Sequence, residues 1–150
     1  MVPETIELQV VTPERHVLAE SAQSVEIPGK EGYLGVLPGH APLITELGIG
    51  ILTYRKGPET RYVTVINGYA EVLPGRVIVL AEISERAEEI DVVRTRAARE
   101  RAEAALAKAA AGDTDWQRAS FALQRALVRL QAAGRGGAAA GTQESGPLAS

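Results

Sequence analysis

Apolar and polar residues alternate along most of the first 85 positions. In Ile6, Leu8 and Val10, for example, every second residue is apolar, which places the apolar side chains on one face of an extended chain. Similar short runs span residues 17–19, 25–27, 49–54, 62–66, 69–73 and 77–81. Strands this short at such regular intervals predict an antiparallel β-sandwich or β-barrel.

Turn-forming residues separate these runs. Asn67-Gly68 is a pair typical of two-residue hairpins, because both residues tolerate a positive φ angle. Gly57-Pro58 and Pro74-Gly75 are further turn signals. No helical pattern alternates with the strands, so the sequence does not indicate a parallel sheet built from βαβ units.

The second half of the chain has a helical pattern. It lacks proline until near its end and is rich in Ala, Arg, Glu and Leu, which favour helices. A break at residues 112–115 predicts two helices in an antiparallel hairpin, with Gly112 as the C-terminal cap of the first and Asp113 or Asp115 as the N-cap of the second. In the second helix, a seam able to face another helix is predicted at Trp116, Ser120, Leu123, Leu127 and Leu130.

These patterns divide the chain into three parts. Residues 1–85 are predicted to form the sandwich and residues 86–133 the helical hairpin, which together make an α+β fold. Large apolar side chains are scarce in the first helix, so the hairpin should be only marginally stable by itself. From residue 134 the chain consists mainly of small residues without periodicity, which predicts a disordered tail over residues 134–150.

The composition excludes several kinds of protein. With 150 residues, the chain is too short for a large multidomain enzyme. It has no cysteine and only two histidines, His16 and His40, so we expect neither a disulfide nor a metal centre. A net charge of -3 argues against a surface built for nucleic acid. The chain has neither a membrane-spanning run nor the pattern of a signal peptide, so we expect a cytosolic protein that meets a membrane only through a partner.

Charged residues on the predicted helices fall into stripes. At about 100° per residue, Asp91, Arg94 and Arg101 share one face of the first helix. The second helix carries Arg118, Arg125 and Arg129 on a shared face. In a closed hairpin the two stripes would line one groove, whose guanidinium groups suit the phosphates of a nucleotide. Composition alone favours the alternative, that these are solvated helix faces with surface ion pairs, and spacing does not overturn it.

No group of residues indicates catalysis. The glycine-rich residues 28–35 do not form a phosphate-binding loop, because Gly29-Lys30 is followed by Glu31 and no helix begins after it. His40 has no adjacent serine or cysteine nucleophile, so we expect it to have a structural role. Because no nucleophile, base and orienting group come together, the chain is not expected to be an enzyme.

Glycine and proline occur in a distinctive order in the middle of the first half. Residues 27–29 read IPG and residues 31–43 read EGYLGVLPGHAPL, followed later by NGYAEV at 67–72 and VIVLAE at 77–82. These segments closely resemble the epsilon subunit of F-type ATP synthases, and the resemblance covers about residues 4–132. It implies a β-sandwich of about ten strands followed by two C-terminal helices, in agreement with the patterns above.

The resemblance also implies a role. It points to a non-catalytic subunit of the central stalk, or rotor, of a proton-translocating ATP synthase. In that role a face of the sandwich near His40 contacts the gamma subunit, and a loop with Glu31, Gly32 and Tyr33 contacts the polar loops of the c ring. The complex would hold the chain peripherally at the cytoplasmic face of the cell membrane.

The helical hairpin resembles the regulatory arm of the family. Such an arm either lies folded on the sandwich or extends into the catalytic head of alpha and beta subunits, where it inhibits ATP hydrolysis. Some bacterial members bind ATP in the folded arm through a motif that begins Ile-Asp-x-x-Arg-Ala, and residues 90–95 here read IDVVRT. The residues that carry over are Glu85, Ile90, Asp91, Arg94, Thr95, Arg101, Arg125 and Arg129, with Thr95 in place of the alanine.

Two classes of function therefore remain after enzymes are set aside. One is the rotor subunit, which requires no cofactor and has ATP as a regulatory ligand. The other is a freestanding cytosolic module that binds ATP as a sensor. A rotor subunit should co-purify with alpha, beta and gamma chains, whereas a freestanding sensor should elute alone from a sizing column.

Overall fold

The computed structural model describes the backbone of residues 3–110 and 112–145, and the side chains of these residues as far as 136. Seven strands come first: β1 (Ile6–Val11), β2 (His16–Ala22), β3 (Ser24–Gly29), β4 (Gly32–Val36), β5 (Leu43–Lys56), β6 (Glu59–Leu73) and β7 (Arg76–Ile83). A one-turn 3-10 helix (Ala87–Glu89) connects them to the helices α1 (Val92–Lys108) and α2 (Thr114–Ser145). Neither α1 nor α2, over the part described, combines the length and apolar character needed to cross a bilayer.

The strands form one sheet that folds over on itself. Their order is β2-β1-β7-β6-β5-β3-β4, and all neighbours are antiparallel except β1 and β7, which are parallel. Leu8 of β1 and Val17 of β2 share one buried cluster with Ile27 of β3 and Leu52 of β5, so the two ends of the sheet face each other across a common core. This arrangement is a β-sandwich followed by a helical hairpin, and the predicted α+β fold is confirmed.

The sandwich has seven strands in the part of the chain described, fewer than the ten expected. The strands β5 and β6 are long, with 14 and 15 residues, and β6 runs through two of the predicted segments, 62–66 and 69–73. Asn67-Gly68 lies inside β6, where Gly68 is opposite Leu47 on one side and Ala81 on the other. The hairpin predicted at this pair was therefore wrong. Its positive φ angles, 57° and 132°, form an irregularity in a long strand instead of ending it.

Helix α2 packs on the outer surface of the sandwich. Val128 and Ala132 are buried in a second apolar cluster with Ile51 of β5 and Ile66 of β6. The seam predicted for α2 was wrong, since Leu127 is 44% exposed. Among the described side chains of this helix, the buried ones are Ala119, Ala126, Val128 and Ala132. Small side chains let the helix backbone approach its neighbours closely, so alanine and not leucine occupies the contact.

The C-terminal segment differs from the sequence-based expectation. Residues 134–145, predicted to be disordered, continue α2 as far as Ser145. Alanine is the strongest helix former, and the alanines of this segment favour the helix despite its glycines. At Gly136 a Cβ atom would lie 3.1 Å from that of Ala87, so a small residue suits this contact with the 3-10 helix. The rest of the predicted tail, residues 146–150, is outside the described residues.

Candidate functional site

A cavity of about 750 Å³ opens between α1, α2 and the sandwich. Its apolar walls consist of alanines from the two helices and of two isoleucines, Ile66 and Ile83, from the sandwich. Five cationic and two acidic side chains also line it: Arg101, Lys108, Arg118, Arg125, Arg129, Glu85 and Asp115. The lining therefore carries a net charge of +3, which favours an anionic ligand.

An ion pair crosses from the sandwich to α2 at one end of the cavity. The guanidinium of Arg129 donates two hydrogen bonds to the carboxylate of Glu85, at 2.7 and 3.2 Å. The backbone of Glu85 is itself fixed, because its N–H donates to the hydroxyl of Thr64 at 3.0 Å and its carbonyl accepts from the N–H of Thr64 at 2.8 Å. The pair thus connects the docked helix to a rigid part of the sandwich.

Arg125 lies one turn of α2 before Arg129. Its guanidinium carbon is 5.0 Å from the centre of the Phe121 ring, which orients the planar group by a cation–π contact. The Nε atom is buried and, among the described residues, has no hydrogen-bond partner. A buried donor without a partner is costly, so this position favours an acceptor supplied by a ligand.

The structure brings together only part of the set expected to bind ATP. Glu85, Arg101, Arg125 and Arg129 all line the cavity, and these four come from three separate elements. Sequence reasoning left Lys108 and Asp115 out of the site, and it placed Arg118 on the stripe expected to meet phosphates but not in the set that the motif carries. The signal that could have found Lys108 is its seven-residue separation from Arg101, which places both on one face of α1.

The other four expected residues have different surroundings and do not line the cavity over the part of the chain described. Ile90 is 8% exposed and belongs to the apolar cluster beneath α2. Asp91 is the N-cap of α1 and accepts a hydrogen bond from the backbone N–H of Arg94 at 3.0 Å. Thr95 is fully buried, and its hydroxyl donates to the carbonyl of Asp91 at 2.7 Å. These residues begin the helix, and the side chain of Arg94 is exposed beside them.

The linker between β7 and α1 is held on the sandwich. The guanidinium of Arg15 donates two hydrogen bonds to Glu89, at 3.0 and 3.1 Å, and the Nε atom of Arg86 donates to the carbonyl of Val17 at 2.9 Å. The hydrogen bond from Arg15 holds the pKa of Glu89 below its usual value, with a smaller contribution from the backbone N–H of Arg86. The buried hydroxyl of Ser84 donates to the carbonyl of Thr64 at 2.6 Å. The predicted domain boundary after residue 85 falls within this anchored segment.

The loop expected to meet the c ring is the tight turn between β3 and β4. Gly29 pairs with Gly32, so Lys30 and Glu31 form its tip. Gly32 has a φ angle of 137°, which a side chain would strain. Tyr33 is 55% exposed, but its hydroxyl oxygen accepts a hydrogen bond from the N–H of Ile51 at 3.0 Å. This hydrogen bond holds the Tyr33 ring against β5, so the tip of the turn consists of the charged residues Lys30 and Glu31.

His40, the expected gamma contact, lies in the loop between β4 and β5. Its Nδ1 atom is 2.7 Å from the carbonyl oxygen of Ala41. Leu37, in the same loop, is a large apolar residue that is exposed. Three more are exposed on the outer face of the sheet: Ile44 of β5, Tyr69 of β6 and Leu80 of β7. An exposed apolar face of this kind is typical of a protein–protein contact.

Comparison with family models assigns both halves of the chain. Residues 5–87 match the beta-sandwich domain of the ATP synthase delta/epsilon chain, and residues 88–134 match its long alpha-helix domain. The epsilon chain of Syntrophobacter fumaroxidans is 50% identical over 130 residues, covering 87% of this chain and 96% of the relative. The epsilon chain of Moorella thermoacetica is 50% identical over 131 residues, covering 87% and 97%.

Solved structures agree at the level of the fold. A chain in the cryo-EM structure of the Euglena gracilis mitochondrial ATP synthase (OSCP, F1 and c-ring) superimposes with a TM-score of 0.70 at 26% identity, over 83% of this chain and 78% of that one. A chain of the Tetrahymena thermophila mitochondrial ATP synthase gives a TM-score of 0.52 at 13% identity, covering 85% and 96%, which shows similarity of fold alone.

Proposed function

This chain belongs to the epsilon chains of ATP synthase, non-catalytic subunits of that complex, and on this basis we propose that it couples the gamma subunit to the c ring in the central stalk. We further propose that its helical hairpin restrains ATP hydrolysis and that ATP holds the hairpin in the folded position. As part of the complex, the chain would lie peripherally at the cytoplasmic face of the cell membrane.

The observation that carries the proposal of ATP binding is the cationic cavity between the hairpin and the sandwich. It is lined by elements of both, so a ligand bound there would contact the arm and the sandwich at once. Such a ligand stabilises the folded arm by its difference in affinity for the two states. The net positive lining supports an anionic ligand with phosphate groups, as does the Nε atom of Arg125, which has no hydrogen-bond partner in the part of the chain described.

Two surfaces support the coupling role. The exposed apolar side chains Ile44, Tyr69 and Leu80 on the outer face of β5, β6 and β7 suit a contact with gamma, and Leu37 is exposed in the same loop as His40. The exposed tip at Lys30 and Glu31 suits a polar contact with the c-ring loops, because both side chains are charged. The ion pair of Lys30 with Glu46, at 3.0 Å, stiffens the base of this tip.

The packing of the helices supports a movable arm. Among the described residues, α2 contributes Val128, the partly buried Phe121 and alanines to the contact with the sandwich, and burying an alanine contributes much less than the roughly 1.5 to 3 kcal/mol of a large side chain. Release of the arm therefore breaks a small apolar contact and the ion pair of Arg129 with Glu85. In the extended position the arginine faces would be free to meet acidic side chains of the alpha and beta subunits.

Arg125→Ala should weaken ATP binding by about tenfold to a hundredfold. The substitution removes a charge-assisted contact to phosphate, which is worth about 1.5 to 3 kcal/mol. Titration calorimetry of the isolated chain measures the effect, and Arg135→Ala is the control, because Arg135 is an exposed arginine of α2 outside the cavity. The absence of binding to the unmodified chain at millimolar ATP would return these arginines to the solvated-face interpretation.

Truncation of the chain after Ile90 should raise ATP hydrolysis by the assembled ATP synthase. This position removes α1 and α2 but keeps the linker, which is hydrogen-bonded to the sandwich. Hydrolysis should be compared at low and high ATP, since ATP is expected to weaken inhibition by the intact arm and to have no such effect after truncation. If hydrolysis is unchanged at both concentrations, the arm is not a brake and only the coupling role survives.

A further inference from the structure

The linker between β7 and α1, residues 84–90, is attached to the sandwich from two sides. On one side, Arg86 forms a backbone bridge with Val63 of β6, next to the hydrogen bonds that fix Glu85. On the other side, the Nε atom of Arg86 donates to the carbonyl of Val17 in β2 at 2.9 Å. The linker is therefore held by two strands that are not neighbours in the sheet.

A charged contact completes this attachment at the end of the linker nearest to α1. Arg15, in the turn between β1 and β2, donates two hydrogen bonds to Glu89, and a paired contact of this kind is stronger than a single surface ion pair. The turn itself is ordered, because the N–H of Thr12 donates to the carbonyl of Arg15 at 2.9 Å. The carboxylate of Glu89 also accepts from the N–H of Arg86 at 3.0 Å. Arg15 thus positions the last turn of the linker.

The hydrogen bonds of the linker and those of α1 meet at Ile90 and Asp91 without crossing. The N–H of Ile90 donates to the carbonyl of Ala87 at 3.3 Å, which ends the linker. The carbonyl of Asp91 accepts from the N–H of Thr95 at 2.9 Å, which begins α1. Over the part of the chain described, no hydrogen bond joins the linker to α1. Rotation about ψ of Ile90 and φ of Asp91 therefore breaks none of these bonds.

The backbone at this point is extended and lies outside any helix or strand. Ile90 has φ and ψ angles of −75° and 125°, and Asp91 has angles of −79° and 101°. These angles lie in a broad allowed region, so both residues can change their torsions without steric strain. Helix α1 packs mainly against α2 and not against the sandwich. The two helices can therefore turn together about this link.

The contacts that keep the hairpin folded involve side chains of the linker. Glu85 forms the ion pair with Arg129 of α2. Ile90 belongs to the apolar cluster that contains Val128 and Ala132 of the same helix. Because the backbone of the linker is bonded to the sandwich independently of α2, these side chains keep their positions when α2 leaves.

We propose that the arm pivots at the link between Ile90 and Asp91, while residues 84–90 stay on the sandwich as a preformed docking site that Arg15 positions. This inference rests on the proposed release of the arm and assigns the point at which it turns. A docking site that stays formed lets the arm return without the entropy cost of ordering the linker again. A linker that left with the arm would have to be ordered at every return.

The pivot is tested by comparing Asp91→Pro with Asp91→Ala. Proline fixes φ near about −65°, close to the folded value at Asp91, and it keeps the preceding residue extended, as Ile90 already is. In the described residues the N–H of Asp91 donates no hydrogen bond that proline would remove. Both variants lose the carboxylate that caps α1, so the difference between them reports the restricted link.

Amide hydrogen exchange of the full chain measures the effect. We expect exchange in α2 to be at least about threefold slower in Asp91→Pro than in Asp91→Ala, because proline disfavours the torsions of the open arm. In the assembled ATP synthase, Asp91→Pro should also hydrolyse ATP faster than Asp91→Ala, since its arm extends less often. Equal exchange in the two variants would overturn a pivot at this link.

Exchange in the unmodified chain tests the linker separately. The amides of Glu85, Glu89 and Ile90 should exchange at least about tenfold more slowly than those of α2, because they stay bonded when the arm opens. Arg15→Gln should remove this protection at Glu89 and Ile90 but not at Glu85. Arg76→Gln is the matched control, because Arg76 is an exposed arginine at the end of β7 far from the linker. Unchanged protection in Arg15→Gln would overturn the positioning role of Arg15.

The outcomes separate this inference from the proposed function. If the linker and α2 exchange at the same rate, the linker leaves with the arm and the inference is overturned, while a movable arm remains. If α2 exchanges no faster than the core strands, the arm is not released and both are overturned. If exchange follows the expectation but truncation after Ile90 leaves hydrolysis unchanged, the pivot is supported and the arm is not a brake.

Discussion

Ala132→Asp should detach α2 from the sandwich while the sandwich itself stays folded. Ala132 is fully buried among Ile51, Ile66, Ala87 and Val128, so an aspartate there would place an unpaired carboxylate in an apolar contact. Burying a charge without a partner costs several kcal/mol, which is large compared with what one docked helix face contributes. The expected result is an arm that is released most of the time.

Amide hydrogen exchange measures this release directly. Exchange in α1 and α2 should rise by two orders of magnitude or more if about 3 kcal/mol of docking is lost, while exchange in the core strands is unchanged. Gln131→Asp is the matched control, since it adds the same charge at the adjacent, exposed position. In the assembled enzyme the released arm should inhibit hydrolysis more strongly. Unchanged exchange in α2 would show that docking does not depend on this contact.

Gly68→Ala should destabilise the sandwich by roughly 4 kcal/mol or more. Gly68 has a φ angle of 132°, and a Cβ atom there would overlap the carbonyl oxygen of Leu80 and come within 2.9 Å of the Cα atom of Ala81. Both neighbours are backbone atoms of β7, so the overlap is relieved only by separating β6 from β7. Large losses of this kind come from combined backbone strain and steric overlap.

Gly32→Ala is the control that separates these two causes. Gly32 has almost the same φ angle, 137°, but a Cβ atom there has no neighbour within 4 Å. Urea unfolding of the two variants should show a cost of about 1 to 3 kcal/mol at Gly32, from strain alone, and a clearly larger cost at Gly68. Equal costs would mean that β7 yields easily and that the irregularity in β6 tolerates a side chain.

The sequence predicted the fold class well because local periodicity and turn chemistry agree over most of the chain. The prediction was wrong at Asn67-Gly68, because residues with positive φ angles occur both in hairpin turns and at irregularities within a strand. Which of the two forms depends on whether neighbouring strands pair with the chain beyond this point, and here β5 and β7 pair with β6 on its two edges. That information lies in residues far away along the chain. The expected number of about ten strands came from the family resemblance, whereas the described part of the chain has seven.

The helical half shows a different limit. The projection of charged stripes found the cationic groove, since Arg101, Arg118, Arg125 and Arg129 do line one cavity. It did not show that Asp91 caps α1, because a carboxylate near a helix start serves either as a cap or as a ligand. The seam of α2 was misassigned because leucine was weighted above alanine, whereas close packing selected the smaller side chain.

The parallel pairing of β1 with β7 has a consequence for how the protein is made. Glu7 lies opposite Arg76, so the first strand finds this neighbour only when nearly the whole sandwich has been synthesised. At ordinary elongation rates the intervening chain takes on the order of 4 to 14 seconds to appear. During that time β1 has β2 as its partner and exposes its other edge. An unpaired strand edge can pair with other chains, and this edge is covered only when β7 has been made, so the sandwich closes late, after most of its strands have formed.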